Sequence, residues 1–195
     1  YPLTQFDMQF ADMNELIDKI TPAELEMLKT ALQKEELREQ LLKISRADTI
    51  PCAAIPHPKQ DVICLGINYM AHAEESARYK EEAFGGERPY AIYFAKRVNE
   101  AVADGGMIPA YEHLVDSLDY EVELAVVIGK DCKNVSKEDA FDYVFGYTIL
   151  NDMSARNLQT RHKQWYFGKS LDDFTPIGPV IVTKDEFTNP PALAI

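Results

Sequence analysis

The residues in this chain that could do chemistry are a pair of glutamates at strand spacing and a histidine with a glutamate at helical spacing. Asp119-Tyr120-Glu121-Val122-Glu123-Leu124 runs on into Ala125-Val126-Val127-Ile128-Gly129, and its alternation predicts a strand whose successive side chains face opposite ways. Tyr120, Val122, Leu124, Val126 and Ile128 share one side, the expected core face. Glu121 and Glu123 share the other, with Ala125 and Val127 beyond them. Two carboxylates at this spacing lie roughly 7 Å apart at the backbone, near enough to converge on one cation. The same pair also suits a strand end whose glutamates point into water. His72 and Glu75 lie in Met70-Ala71-His72-Ala73-Glu74-Glu75-Ser76. A helical turn there sets them on one face, where the glutamate can orient the imidazole as a general base for water or an acidic C–H. The competing reading is a surface histidine beside an acidic helix face.

Elements on either side must position these groups. Residues 1–50 read as a helical arm that packs on the main domain or on a partner subunit. Within it, Asp12 to Ile20 is a short amphipathic segment, and Thr21-Pro22-Ala23-Glu24 carries the signature of a capped helix start. Leu25, Leu28, Leu32, Leu41 and Leu42 then keep a roughly helical stripe as far as Ile44. Prolines 51, 56 and 58 mark the boundary of a second unit over residues 51–195. There Asp61–Leu65 reads as a buried strand broken by Gly66-Ile67-Asn68-Tyr69, residues 77–88 as a polar loop, and Tyr90–Phe94 as a strand ending at Ala95-Lys96-Arg97. Asp104-Gly105-Gly106 is a turn, Ser136–Val144 a capped helix, and Val144–Leu150 a buried strand that delivers Asn151-Asp152.

At 195 residues, 46% of them hydrophobic and 27% charged, the chain can build one sizeable core. No apolar run approaches the ~20 residues that span a membrane. Cys52, Cys64 and Cys132 form neither a disulfide framework nor a zinc spacing, which points to a reducing, cytoplasmic setting. The net charge of -12 argues against nucleic acid as a partner, because phosphate binding needs a basic surface. An anionic substrate would need a local cation.

Four blocks in order give the pattern a family likeness: Gly66-x-Asn68-Tyr69-x-x-His72-x-x-Glu75; Asp119-Tyr120-Glu121-x-Glu123-Leu124-x-Val126-Val127-Ile128-Gly129; Asn151-Asp152-x-Ser154-Ala155-Arg156-x-x-Gln159; and Trp165-x-x-Gly168-Lys169-Ser170-x-Asp172-x-Phe174-x-Pro176-x-Gly178-Pro179. Over roughly residues 60–195 the chain resembles the fumarylacetoacetate hydrolase family, which includes acylpyruvate hydrolases, oxaloacetate decarboxylases and diene-dioate isomerases. The resemblance implies an α+β fold, a mixed β-sandwich roll carrying the helical amino-terminal arm, commonly assembled as a homodimer.

The resemblance also implies roles for particular residues. Glu121, Glu123 and Asp152 match three carboxylate ligands of a divalent ion, Mg2+ or Mn2+, and an all-oxygen shell is what a hard cation prefers. Three carboxylates give the bare site a charge near -3, and the ion would chelate the carboxylate and keto oxygens of a small anionic 2-oxo acid. His72 and Glu75 match a water-activating dyad, and Lys169 a lysine beside developing negative charge. Gln159 matches a residue holding the substrate oxygen; Arg156 is equally a substrate contact or a structural ion pair. Asn68 and Tyr69 shape the loop that carries His72. Trp165 reads as packing and His162 as an exposed loop residue.

The expected reaction is hydrolysis of a carbon–carbon bond in an acylpyruvate or 2,4-dioxo acid through a pyruvate enolate. Isomerisation or decarboxylation of a 2-hydroxy-dienedioate or oxaloacetate-type substrate would use the same enolate on the same fold. A catalytically idle acid-binding relative is the alternative from another class; its usual sign, a lost ligand or base, is missing here. The family's domain continues past the position matching Asn189–Ile195, so the catalytic unit is expected to be incomplete at that end and little active alone.

Overall fold

A computed structural model describes residues 1–69 and 90–187. The arm comes first: α1 (Met13–Lys19), α2 (Pro22–Gln33) and α3 (Glu35–Gln40). The expected cap is present. Glu24 N–H donates to Thr21 Oγ1 at 3.2 Å, and Thr21 N–H donates to Glu24 Oε2 at 2.8 Å, satisfying donors that a helix start otherwise leaves open. The helical stripe stops at Gln40, short of Leu41, Leu42 and Ile44. The arm lies against the rest of the chain through Asn14 Nδ2 on the His57 carbonyl at 2.8 Å and through the ion pairs Lys59–Asp18 and Lys29–Asp185.

From Val62 onward the chain is built around short antiparallel sheets. β1 (Val62–Gly66) pairs with β2 (Ile92–Lys96). β3 (Leu118–Asp119) pairs with β6 (Ser154–Ala155), and β4 (Val122–Ile128) pairs with β5 (Val144–Asn151), which also carries β7 (Val182–Thr183). Two short helices, α4 (Arg156–Arg161) and α5 (Trp165–Lys169), follow β6. Two apolar clusters hold these pieces. Ala53, Ala54, Ala101, Leu150 and Ile177 form one; Val115, Met153, Ala155, Leu158 and Phe174 form the other.

Three local expectations are corrected. The alternation of β4 is as read, but its faces are reversed. Tyr120, Val122, Val126 and Ile128 are 72%, 52%, 51% and 54% exposed, whereas Glu121 and Glu123 are half-buried and Val127 is buried. The reason is electrostatic: Lys169 and Arg156 meet Glu121, and Lys96 meets Asp152, on the inward side. β1 is buried on one side only: with β2 as its sole partner among the described residues, Ile63 and Leu65 face outward. Ser136–Val144 forms a turn and a 3-10 segment over Ala140–Tyr143 instead of a helix. Ser136 Oγ and Asp139 close the turn on each other, and Phe141 is exposed, so no apolar stripe holds a longer helix to the domain.

Candidate active site

The β4–β5 register brings the carboxylates together. Val122 faces Asn151, and the ladder continues one pair further, with Asp152 N–H donating to the Glu121 carbonyl at 2.7 Å. Asn151 Oδ1 accepts from Glu121 N–H at 3.1 Å, so the backbone of Glu121 is held from both directions. The neighbouring β3–β6 pair sets Asp119 opposite Ser154. Leu150 is in one apolar cluster, while Met153 and Ala155 are in the other. Asp152 and Ser154 alternate with them, so the polar side chains are carried on backbone packed on both sides.

Cations arrive from later and earlier in the chain. Gly168 lets α5 lie directly on α4: a Cβ there would stand 2.5 Å from the Gln159 backbone nitrogen and 2.9 Å from the Ala155 carbonyl. That contact delivers Lys169, only 2% exposed. Its Nζ donates to Glu121 Oε2 at 2.9 Å, Asp152 Oδ2 at 2.5 Å and Ser154 Oγ at 2.9 Å, and lies 5.0 Å from the centre of the Phe94 ring. An ammonium has three N–H donors, and all three are engaged. Arg156, at the start of α4, grips Asp119 Oδ2 through Nε and Nη2 at 3.0 and 2.6 Å. Its Nη1 reaches Glu121 Oε1 at 2.6 Å and donates to Gln159 Oε1 at 3.0 Å.

A second lysine, Lys96 at the end of β2, is 0% exposed. Its Nζ stands 2.8 Å from Asp152 Oδ1 and donates to the carbonyls of Met153 and Lys169. The Lys96–Asp152 approach is a buried ion pair, and Asp152 Oδ1 has no hydrogen-bond partner. Burial pulls the Lys96 ammonium below its ordinary pKa, opposed by Asp152.

These cations reverse the expected faces of β4. A carboxylate in the interior is tolerated when a cation meets it there, and Lys169, Lys96 and Arg156 supply that charge. They also revise the local charge: the three carboxylates do not stand as a bare -3. The two glutamates then diverge. Burial works to raise the Glu121 carboxyl, but Lys169 and Arg156 hold it below the usual carboxylate range. Burial and the nearby Asp152 and Glu121 carboxylates push Glu123 up, opposed by the Tyr69 hydroxyl and the Lys169 charge. Cys64 on β1 is pushed up to about 12 by burial and by Asp152, so it is an inert thiol in the wall.

Among the described residues, no group of three Asp, Glu, His or Cys side chains is drawn into a metal shell. Glu121 and Asp152 converge on Lys169 Nζ instead. The donor set nevertheless suits a hard divalent cation. All its atoms are carboxylate oxygens, Asp152 Oδ1 carries a buried lone pair that no hydrogen bond uses, and Glu123 is crowded by like charge that a cation would relieve.

Of the residues singled out in the sequence, the fold brings Glu121, Asp152, Lys169, Arg156 and Gln159 into one contact network. Glu123 joins its edge beside Tyr69. His72 and Glu75 lie outside the described residues. Trp165 packs edge-on against Phe94, with ring centres 5.2 Å apart, and would occupy the space of a Cβ at Gly66. His162 is exposed. Sequence reasoning missed Lys96, Ser154 and the acceptor role of Asp119. Lys96 in Ala95-Lys96-Arg97 reads as a solvated strand end, and nothing in its neighbours says otherwise. Asp119 and Ser154 stood within the quoted motifs, where their register could have been tested. The network borders a cleft of about 1650 Å³, larger than the roughly 300–1,000 Å³ of a closed metabolite pocket, so it is an open groove.

Comparison with known proteins matches residues 61–195 to the family described as fumarylacetoacetate (FAA) hydrolase C-terminal. The chain is 47% identical over 143 residues to oxaloacetate tautomerase YisK of Bacillus subtilis, covering 73% of this chain and 46% of that protein. It is 39% identical over 176 residues to mitochondrial oxaloacetate tautomerase fahd2 of Xenopus laevis, covering 88% of this chain and 52% of that one. Among solved structures, fumarylpyruvate hydrolase from Pseudomonas aeruginosa, in complex with Mn2+ and pyruvate, superposes with a TM-score of 0.56 at 32% identity, over 69% of this chain and 57% of that chain. The chain thus spans about half the length of the curated relatives it matches. No helix among the described residues is long and apolar enough to cross a membrane.

Proposed function

The chain belongs to the fumarylacetoacetate hydrolase family, and from that premise we propose that it serves an enzyme moving a proton at the carbon next to the carbonyl of a 2-oxo acid, with oxaloacetate keto–enol tautomerisation the preferred reaction. The observation that carries the reading is the Lys169 ammonium, buried and held by three oxygens beside paired carboxylates. Loss of a proton from C3 leaves the electron pair delocalised onto the C2 oxygen. A fixed, buried positive charge stabilises that oxyanion more than it stabilises the neutral ketone. Reprotonation on oxygen gives the enol, and on carbon the ketone.

The rest of the assignment follows the parts. Glu121, Glu123 and Asp152 would hold a divalent ion, Mg2+ or Mn2+. When bound, it supplies Lewis-acid stabilisation of the substrate's oxygens. Lys169 offers its charge to the oxyanion; for one N–H to donate there it must release an acceptor, and the neutral Ser154 hydroxyl is the weakest of its three. Gln159, held by Arg156, presents its amide nitrogen to a substrate oxygen. Arg156 itself is absorbed by Asp119 and Glu121, which favours the structural of its two expected roles. His72 with Glu75 is assigned the base on its spacing in the sequence.

Carbon–carbon hydrolysis, the reaction expected from the sequence, becomes the second reading. It is favoured by the likeness to the Pseudomonas fumarylpyruvate hydrolase and needs the same base to activate water. The test follows the enol absorbance of oxaloacetate and the loss of acylpyruvates with the intact protein and Mg2+ or Mn2+. Accelerated decay of enol oxaloacetate supports tautomerisation. Acylpyruvate cleavage alone supports the second reading, and no metal-dependent effect on either overturns both. Metal binding is read separately: Mn2+ at about 100 times its Kd should stabilise the fold by about 2.7 kcal/mol, and Glu121→Gln should abolish that gain.

A further inference from the structure

Lys96 is the buried charge that the reaction above leaves unused. It closes β2, and its Nζ reaches the Met153 carbonyl at 3.2 Å, the Lys169 carbonyl at 2.5 Å and Asp152 Oδ1 at 2.8 Å. Its hydrogen-bond partners lie 57 and 73 residues further along the chain. With 0% of the residue exposed, two N–H donors on backbone carbonyls and its charge set against Asp152 Oδ1, it has no open side for a substrate. A buried ammonium is retained where its partners compensate the lost hydration, and these partners are the backbone on either side of the candidate site.

Two consequences meet at Lys169. The Lys96 bond to the Lys169 carbonyl anchors the backbone from which the Lys169 side chain departs. The Lys96 charge beside Asp152 Oδ1 turns the other oxygen, Oδ2, toward Lys169 Nζ at 2.5 Å. A single ammonium thus sets both the origin and the target of the Lys169 side chain. We propose that Lys96 is a positioning residue of this site, tying β2 to the turn after β5 and to the end of α5 so that Lys169 faces the reacting atoms. This rests on the reading of Lys169 as the charge-stabilising group.

The experiment compares Lys96→Met with the parent in the intact protein, using two readouts. The first is reductive methylation of lysines followed by peptide mass spectrometry, with exposed Lys43 as internal reference. Lys169 is expected to be protected in the parent and to label at least ten-fold faster in the variant, at an unchanged Lys43 rate and with circular dichroism showing a folded protein. The second is turnover of oxaloacetate: a kcat about 10- to 100-fold lower with KM changed less than three-fold, as expected when a reacting group is misplaced. A general loosening would raise labelling of every protected lysine together and would count against the proposal. A folded Lys96→Met that keeps Lys169 protected overturns it. If Lys96→Met does not fold, Lys96→Gln, whose amide still donates to a carbonyl without a charge, is judged by the same labelling. Should the parent turn over no 2-oxo acid, the proposed function fails, while the labelling still decides whether Lys96 positions Lys169.

Discussion

The two faces of β4 obey opposite rules. One carries Glu121, Glu123, Ala125 and Val127 and turns inward; the other carries Tyr120, Val122, Val126 and Ile128, each more than half exposed. On hydropathy alone the assignment should be the reverse. The inward face is tolerated because every carboxylate near it is met by a cation or a hydroxyl: Glu121 by Lys169 and Arg156, Asp152 by Lys169 and Lys96, Glu123 by Tyr69. Alternation therefore identifies two faces and leaves open which one is inside. Distant counter-charges decide that.

Removal of Lys169 should disturb the inward face most severely. Lys169→Met leaves two buried carboxylates short of a partner, and truncating one side of such a pair costs about 3–5 kcal/mol. Urea unfolding should show a loss of that size, and activity should fall with it. Adding Glu121→Gln should recover part of the stability, because the two substitutions act on one interaction. A Lys169→Met protein as stable as the parent would mean that the ion-pair network does not hold this face in. Next in size is Gly168→Ala, which changes no charge. Its new methyl would meet the Gln159 and Ala155 backbone, so α5 must lift from α4. Overpacking of this kind costs about 1–3 kcal/mol, and the displaced Lys169 should lower kcat more than it raises KM.

How much of this was legible in the sequence follows from the same physics. Local signals transferred well. The Thr21–Glu24 cap, the turn at Gly105, the strand that delivers Asp152 and the Arg156–Gln159 spacing depend on neighbours within a few residues, and they appear as read. The fold type was legible through four motifs in order. The burial of β4 was not, because its counter-charges come from residues far along the chain, 48 away in the case of Glu121 and Lys169. Lys96 was unreadable for the same reason. The Ser136–Val144 helix failed on another ground: a good cap does not make a helix without an apolar face to dock.

Arg156 allows a finer cut along the inward face. Arg156→Lys keeps one positive charge but loses the fork that holds Asp119 and Glu121 together. The side chain is about one-third exposed, so solvent screening limits the loss to about 1 kcal/mol. Turnover should fall mainly through Gln159, which loses its anchor. A loss of substrate affinity far larger than the loss of stability would return Arg156 to the substrate-contact role.

The smallest effect is expected on the outward face, and it is the one that tests the comparison from its other side. Val126 and Ile128 already meet solvent, so Val126→Lys and Ile128→Lys should each change stability by less than about 0.5 kcal/mol. Surface charge in place of an exposed apolar patch should also lower the tendency of the protein to associate. The measurement is chemical denaturation at two protein concentrations, run beside size-exclusion chromatography. Equal curves at both concentrations and a small shift mean that the face is open in solution and that burial follows charge pairing on β4. A concentration-dependent curve, with Val126→Lys costing 2 kcal/mol or more, means that another polypeptide surface covers these residues. Both faces of the strand would then be interior, one closed by ion pairs and the other by apolar contact.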